Sequence, residues 1–299
     1  MDVNCKICGS NSISEYHQKD SFYFLKCSDC KFIWVDVSNI NLFDYYNNPD
    51  YLHDKAGRGY VDYEADKAPM EPVYVGLLNK IKLYRQGKKL LDLGTATGYF
   101  LDVAGQNDYL AEGIEINPSA VKEGMARGRK IKQADILKSG FSDSSFNVIT
   151  AFDLLEHLPP NGLAEYILAI RKMLVANGIL AIITVNTASW WAKIFGKKWH
   201  TFLPPEHISY FNDRNIRLFL ENNGFEVLEI KTVHKMFSLQ YIFNFLYRWQ
   251  GLSLWLDITR FLEKRPWLGK LPLKLYLGDN MMVLARKICP VSRTATDLT

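Results

Sequence analysis

Two Cys-x-x-Cys pairs, Cys5 with Cys8 and Cys27 with Cys30, stand 18 residues apart. At that spacing four thiolates can close a tetrahedron around zinc. A closed tetrathiolate offers no position to water or substrate. It would hold together a small unit with little core of its own and perform no hydrolysis. The other reading is four unrelated buried thiols, since disulfides suit a reducing compartment poorly. Cys289 stands alone and reads as an inert thiol.

A second constellation begins at Lys89-Leu-Leu-Asp92-Leu-Gly94-Thr95-Ala96-Thr97-Gly98, followed by helix-forming residues with Phe100, Val103 and Ala104. Gly94 allows a sharp backbone turn against a ligand, and Gly98 lets a helix start close to the strand. The next apolar strand ends in Glu115, 23 residues after Asp92, near the offset at which a carboxylate meets a ribose in nucleotide-binding βαβ units. Further along lie Asp135-Ile136, then Phe152-Asp153-Leu-Leu-Glu156-His157, then Pro204-Pro205-Glu206-His207. The two prolines stop a helix and present Glu206 and His207 on a fixed loop.

The elements that must position these residues alternate. A helix over 163–175, a strand over 179–185, a sixth strand over 225–233 and a closing strand over 278–286 come after the glycine loop. Such alternation predicts a parallel, doubly wound α/β sheet with its ligand at the carboxyl ends of the strands. Residues 71–85 place Val75, Leu78, Ile81 and Tyr84 at helical spacing. The tyrosine-dense stretch before them, including Tyr60 and Tyr63, reads either as a helical linker or as a lid whose tyrosines face a ligand. The resulting division is a ribbon over 1–40, a lid or linker over 41–84, a main domain over 85–288 with insertions at 187–212 and 236–275, and a tail over 289–299.

Residues 85–235 and the closing strand resemble the class I S-adenosylmethionine-dependent methyltransferases, in the small-molecule branch with a D-x-G-x-x-x-G loop and an E-H-L turn after the fourth strand. The resemblance implies a Rossmann-like sheet of seven strands, mostly parallel with the last antiparallel, carrying the small N-terminal zinc ribbon. It implies that Gly94, Thr95 and Gly98 flank the methionine end of S-adenosylmethionine, supported by Asp92. Glu115 and Ile116 would meet the ribose, Asp135 and Ile136 the adenine, and Phe152 and Asp153 would close the fourth strand's end, with Tyr60 and Tyr63 as the lid. Ala96 stands where the family often has a glycine. The stretch Glu206-His207-Ile-Ser-Tyr-Phe211 is similar to one in zinc-containing sugar C-methyltransferases, where the Glu-His pair is implicated in proton abstraction. An imidazole oriented by a carboxylate is a sound base. His207 is therefore the expected base, with Glu206 orienting it. The alternative has His207 capping the helix near Asp213 or simply packing. His157 either faces the acceptor or fixes its turn, and Glu156 reads as turn architecture.

Several classes are excluded. Thr95-Ala96-Thr97 lacks the G-x-G-x-x-G frame of dinucleotide dehydrogenases. The D/N-P-P-Y/F turn of base-amino methyltransferases is replaced by Phe152 to His157. The 299 residues carry +4 overall, but residues 231–299 hold +7 and leave residues 1–230 at −3, so no nucleic-acid partner is expected. The start shows no secretory pattern, and the expectation is a cytoplasmic monomer or homodimer. The helix expected over 237–256 has Gln240, Asn244 and Arg248 as a polar stripe in an apolar surface. It lines the acceptor pocket or a dimer contact, or else the 237–274 segment lies on a membrane with Lys264, Arg265, Lys270 and Lys274 at the headgroups. The leading function is methyl transfer to a hydroxyl or activated carbon of a small acceptor. A lipid-linked acceptor is the runner-up, and a non-catalytic zinc-ribbon binding module the reading of another class. No room is expected for the extra C-terminal domain of the sugar C-methyltransferases.

Overall fold

The computed structural model describes residues 4–37, 40–48, 63–275 and 278–288. Tyr60, Cys289 and the 289–299 tail lie outside the described residues. In chain order, β1 (Ile13–Lys19), β2 (Phe22–Cys27) and β3 (Ile33–Val35) lead to helices α1 (Leu42–Tyr46), α2 (Tyr63–Lys67) and α3 (Glu71–Tyr84). Alternation then sets in with β4 (Lys89–Leu93), α4 (Tyr99–Gln106), β5 (Leu110–Glu115), α5 (Pro118–Ala126), β6 (Ile131–Gln133), β7 (Phe146–Phe152), α6 (Leu163–Met173) and β8 (Leu174–Val185). After it come α7 (Trp190–Phe195), β9 (Ser209–Tyr210), α8 (Asp213–Asn222) and β10 (Phe225–Val233). A final insertion, β11 (Met236–Ser238), α9 (Leu239–Gln250), α10 (Ser253–Glu263), α11 (Pro266–Gly269) and β12 (Pro272–Lys274), precedes the closing β13 (Asn280–Lys287).

Seven strands form one sheet in the order β10-β13-β8-β7-β4-β5-β6. The pairs among β4 to β8 are parallel, and β13 runs antiparallel between β8 and β10. Both faces are covered, and the period-two alternation of the strands divides the core accordingly. Leu91, Ile149 and Leu180 pack with Ile167 and Ile170 of α6 and Ile216 and Phe219 of α8. Their neighbours Leu90, Val148 and Ile179 pack with Leu78 and Ile81 of α3 and Phe100 and Val103 of α4. The chain leaves β4 toward β5 and β6, then returns to β7 on the other side. The crevice at the carboxyl ends of β4 and β7 is thus a topological switch point, where α/β sheets hold ligands.

Several expected elements differ in detail: the helix expected over 163–175 ends at Met173, the strand expected over 179–185 already begins at Leu174, and the closing strand runs Asn280–Lys287 rather than 278–286. The buried stripe of α3 is Tyr74, Leu77, Leu78 and Ile81, while Tyr84 is exposed, because the helix meets the sheet one residue away from the face its spacing predicts. The helix expected over 237–256 is two helices, α9 and α10, broken where Gly251 takes a φ of +71° and caps α9.

The cysteine-bearing segment is tied into the main domain. β3 pairs antiparallel with β9, matching Ile33 to Tyr210 and Trp34 to Ser209, and completes a four-stranded sheet β1-β2-β3-β9. Phe24 of β2 packs with Trp199, Phe202, Ile208 and Tyr210. The start of α8 adds a second tie. Asn212 Oδ1 accepts the N–H groups of Arg214 and Asn215, Asn215 Oδ1 accepts that of Asn212, and both amide side chains donate to the Cys30 carbonyl at 3.3 Å. Replacing this cap removes helix satisfaction and the Cys30 contact together. Asn212→Ala is expected to cost about 1–2 kcal/mol in denaturant unfolding, with Asn212→Asp recovering about half. An unchanged midpoint in the alanine variant would show that the tie carries no stability.

Candidate active site

The glycine loop joins β4 to α4 at the crevice. Gly94 has φ +67°, and a Cβ there would lie 3.0 Å from Leu154 Cδ1. Gly98 has φ +84°, and its Cβ would lie 2.9 Å from Ile131 Cδ1. Between them Ala96 takes φ +50° despite its Cβ, a conformation that costs about 1–2 kcal/mol. Its N–H donates to Glu115 Oε2 at 2.9 Å, which helps hold it there. Glu115 Oε1 accepts Ile116 N–H and Asn117 N–H at 2.8 Å each. Burial raises the Glu115 carboxyl while these three donors lower it. A carboxylate offers about four lone-pair sites, so acceptor capacity remains for hydroxyl donors.

Asp92 is buried beneath the loop and accepts the Thr150 hydroxyl at 2.6 Å; burial pushes its carboxyl up to about 6. Asp92, Gly94 and Thr95 line a cavity with Tyr63, Lys67 and Phe152. The Thr95 hydroxyl is itself buried there. Arg129 pins the cavity's α2 wall: it donates twice to Glu64 at 2.6 and 2.8 Å, to Asp102 at 2.7 Å and to the Thr97 carbonyl at 2.9 Å. Asp135 and Ile136 come after β6. Asp135 Oδ1 accepts Leu137 N–H at 2.7 Å, Tyr166 Oη lies 3.5 Å from Oδ2, and Ile136 is buried.

Asp153 lies just beyond β7 with φ +51°. Its carboxylate meets Lys235 Nζ at 2.8 Å and Lys67 Nζ at 3.3 Å. Burial works against this charge, yet the two ammonium groups hold the Asp153 carboxyl far below the usual carboxylate range. Neither lysine belongs to a motif, and 168 positions separate them in sequence.

Beside this network Glu156, His157 and His207 each bring one nitrogen or oxygen within 4.8 Å of the others. The two imidazoles stand edge to face, 4.8 Å between centroids. His157 Nδ1 lies 2.8 Å from the Glu206 carbonyl, and His207 Nδ1 lies 3.0 Å from the Thr201 carbonyl. A carbonyl only accepts, so both Nδ1 atoms carry the hydrogen and, in the neutral rings, Nε2 carries the lone pair. Burial lowers both imidazoles, and with His157 alongside, His207 falls well below its ordinary 6.5. Glu156 is fully buried and accepts the Thr184 hydroxyl at 2.7 Å. Burial and the nearby Asp153 raise its carboxyl to about 7.

These contacts amend the expected roles. His207 is oriented by the Thr201 carbonyl, while Glu206 gives its own carbonyl to His157 and to the Tyr46 hydroxyl, 2.7 Å away. Asn212, not His207, caps α8. Glu156 does support its turn, through Ile208 N–H on its carbonyl at 2.7 Å, but also contributes a buried carboxyl beside the histidines. Tyr46 belongs to the tyrosine-dense stretch read as a linker or lid, but no contact with the histidines is expected for it from sequence. It reaches the cluster because Asn117 Nδ2, at the start of α5, donates to the carbonyls of Tyr46 and Asn48 at 3.0 and 2.8 Å.

At the other end of the chain's first sheet, the four cysteine sulfurs gather. Cys5 Sγ lies 3.5 Å from Cys30 Sγ and Cys8 Sγ 3.6 Å from Cys27 Sγ, with all four within 4.8 Å. A zinc tetrathiolate with Zn–S bonds of about 2.3 Å has S···S edges of about 3.8 Å, so the quartet fits the ion.

The methyltransferase domain family model matches residues 70–230, more than half of the chain. Among solved structures, a SAM dependent methyltransferase from Archaeoglobus fulgidus is 18% identical with a TM-score of 0.51, covering 79% of this chain and 99% of that one. Magnesium protoporphyrin IX methyltransferase from Synechocystis PCC 6803 with bound SAH is 14% identical with a TM-score of 0.52, covering 82% and 98%. Ribosomal RNA large subunit methyltransferase E of Wolbachia pipientis wMel is 30% identical over 104 residues, 34% of this chain and 51% of that protein. The chain thus spans about half the length of this curated relative. With the switch-point crevice, the glycine loop and the acid after the second parallel strand in place, the chain belongs to the methyltransferase domain family and carries its seven-stranded Rossmann-like fold.

Proposed function

We propose that the enzyme transfers the methyl group of S-adenosylmethionine to a hydroxyl or activated carbon of a small acceptor, such as a sugar, a glycan precursor or a secondary metabolite. His207 takes the acceptor's proton. The observation that carries this reading is the pair of partly buried imidazoles, both shifted toward the neutral form, whose Nδ1 atoms are committed to backbone carbonyls, which leaves Nε2 as the basic atom of each. In the step itself the acceptor oxygen or carbon bonds to the methyl carbon, the carbon–sulfur bond breaks, and S-adenosylhomocysteine leaves as a neutral thioether. The proton goes to His207 Nε2.

S-adenosylmethionine supplies an already activated methyl group, so the chain's work is positioning, exclusion of water and proton removal. Glu115 would take the ribose hydroxyls, and Asp135 with Ile136 would frame the adenine. Asp92, Gly94, Thr95 and Gly98 would hold the methionine end under Tyr63, with Lys67 placed to meet its carboxylate. The ribosomal RNA relative supports a nucleic-acid acceptor less than the charge opposes it, since residues 1–230 carry −3. Cys5, Cys8, Cys27 and Cys30 would hold one structural zinc ion, whose contribution is to fix the β-sheet that carries the His207 loop.

In a test with candidate acceptors, His207→Ala is expected to lower turnover by about 10²–10⁴ while calorimetric affinity for S-adenosylmethionine stays within about threefold. Unchanged turnover would move the base to His157. A second measurement reads protonation through stability. The unfolded chain takes up a proton on each histidine near 6.5, whereas folded His207 resists it, so stability is untouched above 6.5 and falls as pH drops below. Glu156, held near 7 against an ordinary 4.5, works in the opposite sense between those values, so the comparison must be internal. Relative to His207→Gln, the wild type should lose stability as pH falls below about 6.5, with a slope that steepens toward ~1.4 kcal/mol per pH unit. Parallel curves would mean that His207 titrates as freely as in the unfolded chain. For the metal, elemental analysis should find about one zinc per chain, and Cys27→Ser should lose it and lower the thermal midpoint by more than about 5 °C. A zinc-free protein of unaltered stability would remove the ion from the reading.

A further inference from the structure

We infer that the exposed apolar and basic side chains of residues 252–274 dock on an anionic membrane surface. Six large apolar side chains stand out from this short stretch: Leu252 at 52% exposure, Leu254 at 58%, Phe261 at 47%, Trp267 at 73%, Leu271 at 45% and Leu273 at 43%. Their opposite sides are anchored. Thr259 and Leu262 of α10 are buried, and Gly269 of α11 sits against Gln240 of α9. The exposed groups are therefore held outward by a packed base.

The charge between them selects the occupant. Arg260, Lys264, Arg265, Lys270 and Lys274 are all exposed, against two acids in the same stretch, Asp257 and Glu263. Arg265 also lies over the Phe261 ring, 3.9 Å from its centroid, so cation and aromatic face share one position. A protein-binding core is depleted in lysine and gathers its apolar groups into one desolvated patch. Here the apolar tips are interrupted by cations, which suits a plane of anionic headgroups above an acyl boundary. Tryptophan and leucine enter that boundary, while lysine and arginine stay at its charged rim. No helix among the described residues is long and apolar enough to cross a membrane, so the segment would lie on the surface.

The face is mechanically continuous with the site. β11 begins directly after Lys235, and Ser238 Oγ lies 3.4 Å from Asp66 Oδ1, next to Lys67. Phe245 of α9 stands edge-on to His200, whose Nε2 lies 3.2 Å from an Asp279 carboxylate oxygen. Docking would thus act on the same elements that hold the Lys67–Asp153–Lys235 network.

The test is co-sedimentation of the full chain with phosphatidylglycerol vesicles and with phosphatidylcholine vesicles, at low and high salt. Binding to the anionic vesicles is expected to exceed binding to the neutral ones by more than tenfold and to weaken with salt. Lys264→Gln with Lys270→Gln should lower the partition coefficient about 20-fold, and Trp267→Ala about tenfold. Both changes are at exposed positions, and circular dichroism would verify the fold. Equal or absent binding to the two vesicle types overturns the inference, as does binding that survives these substitutions. Light scattering adds an arm: a dimer that Trp267→Ala dissociates, without vesicle binding, would assign the face to self-association instead. Calorimetric titration with S-adenosylmethionine on the same preparation keeps failure here distinct from failure of the methyl-transfer reading.

Discussion

The arrangement of this active site hangs on a two-residue backbone ladder, the pairing of β3 with β9. The loop between α7 and α8 leaves the sheet after β8, and Ile208 N–H on the Glu156 carbonyl ties it to the turn after β7 while its other edge needs a further backbone partner. The N-terminal strands supply that partner. They also supply Phe24, against which Phe202 and Tyr210 close their side of the loop. Within the loop so fixed, the Thr201 carbonyl meets His207 Nδ1 and the Glu206 carbonyl meets His157 Nδ1. The imidazole tautomers are therefore set by main-chain geometry, and the main chain is set by the ribbon. The second tie, from Asn212 and Asn215 to the Cys30 carbonyl, locks the start of α8 to the cysteine quartet. What looks like an accessory segment in the sequence is a structural support of the acceptor side.

The second constraint is electrostatic. Asp153, Lys67 and Lys235 are partly buried, so each charge leans on its partner, and removing one member leaves the others less well compensated than at an open surface. The same surroundings move their neighbours in opposite directions. Glu156 is raised to about 7, whereas His157 and His207 are lowered. Groups pushed apart in this way are the ones that divide acid and base duties at neutral pH.

How much of this is legible in the chain depends on the range of each interaction. β10 runs over Phe225–Val233, the span its pattern predicts, and β4 closes at Leu93 before the glycine turn, because both are governed by alternation and by glycine within a few residues. The break at Gly251 is also local, and the glycine is visible, but the apolar density on both sides masks it. The face of α3 is hard to place to the residue because Val75 and Tyr84 compete with Tyr74 and Leu77 at similar spacing. By contrast, β9 is too short to show periodicity, and its partner lies some 175 residues upstream. The Thr201 carbonyl has no side-chain signature at all. Lys67 and Lys235 become meaningful only when the fold brings both onto Asp153, and Tyr46 only when Asn117 captures its segment. Local grammar yields the Rossmann-like fold; the histidine cluster is built from long-range contacts between irregular segments.

Under the proposed chemistry the lowered His207 has a further logic. S-adenosylmethionine would bring a sulfonium cation into a site that already holds the ammonium groups of Lys67 and Lys235, and an imidazolium beside it would add a further like charge. Burial keeps the ring neutral while the donor is bound. As the methyl group leaves, sulfur becomes neutral and the ring gains the acceptor's proton, so one positive charge moves from sulfur to imidazole and the total stays constant. The surrounding charges then need little reorganisation during the step, which is the condition under which fixed groups stabilise a transition state well. The neutral histidine pair, held by carbonyls rather than by acids, is the arrangement that matches a cationic donor.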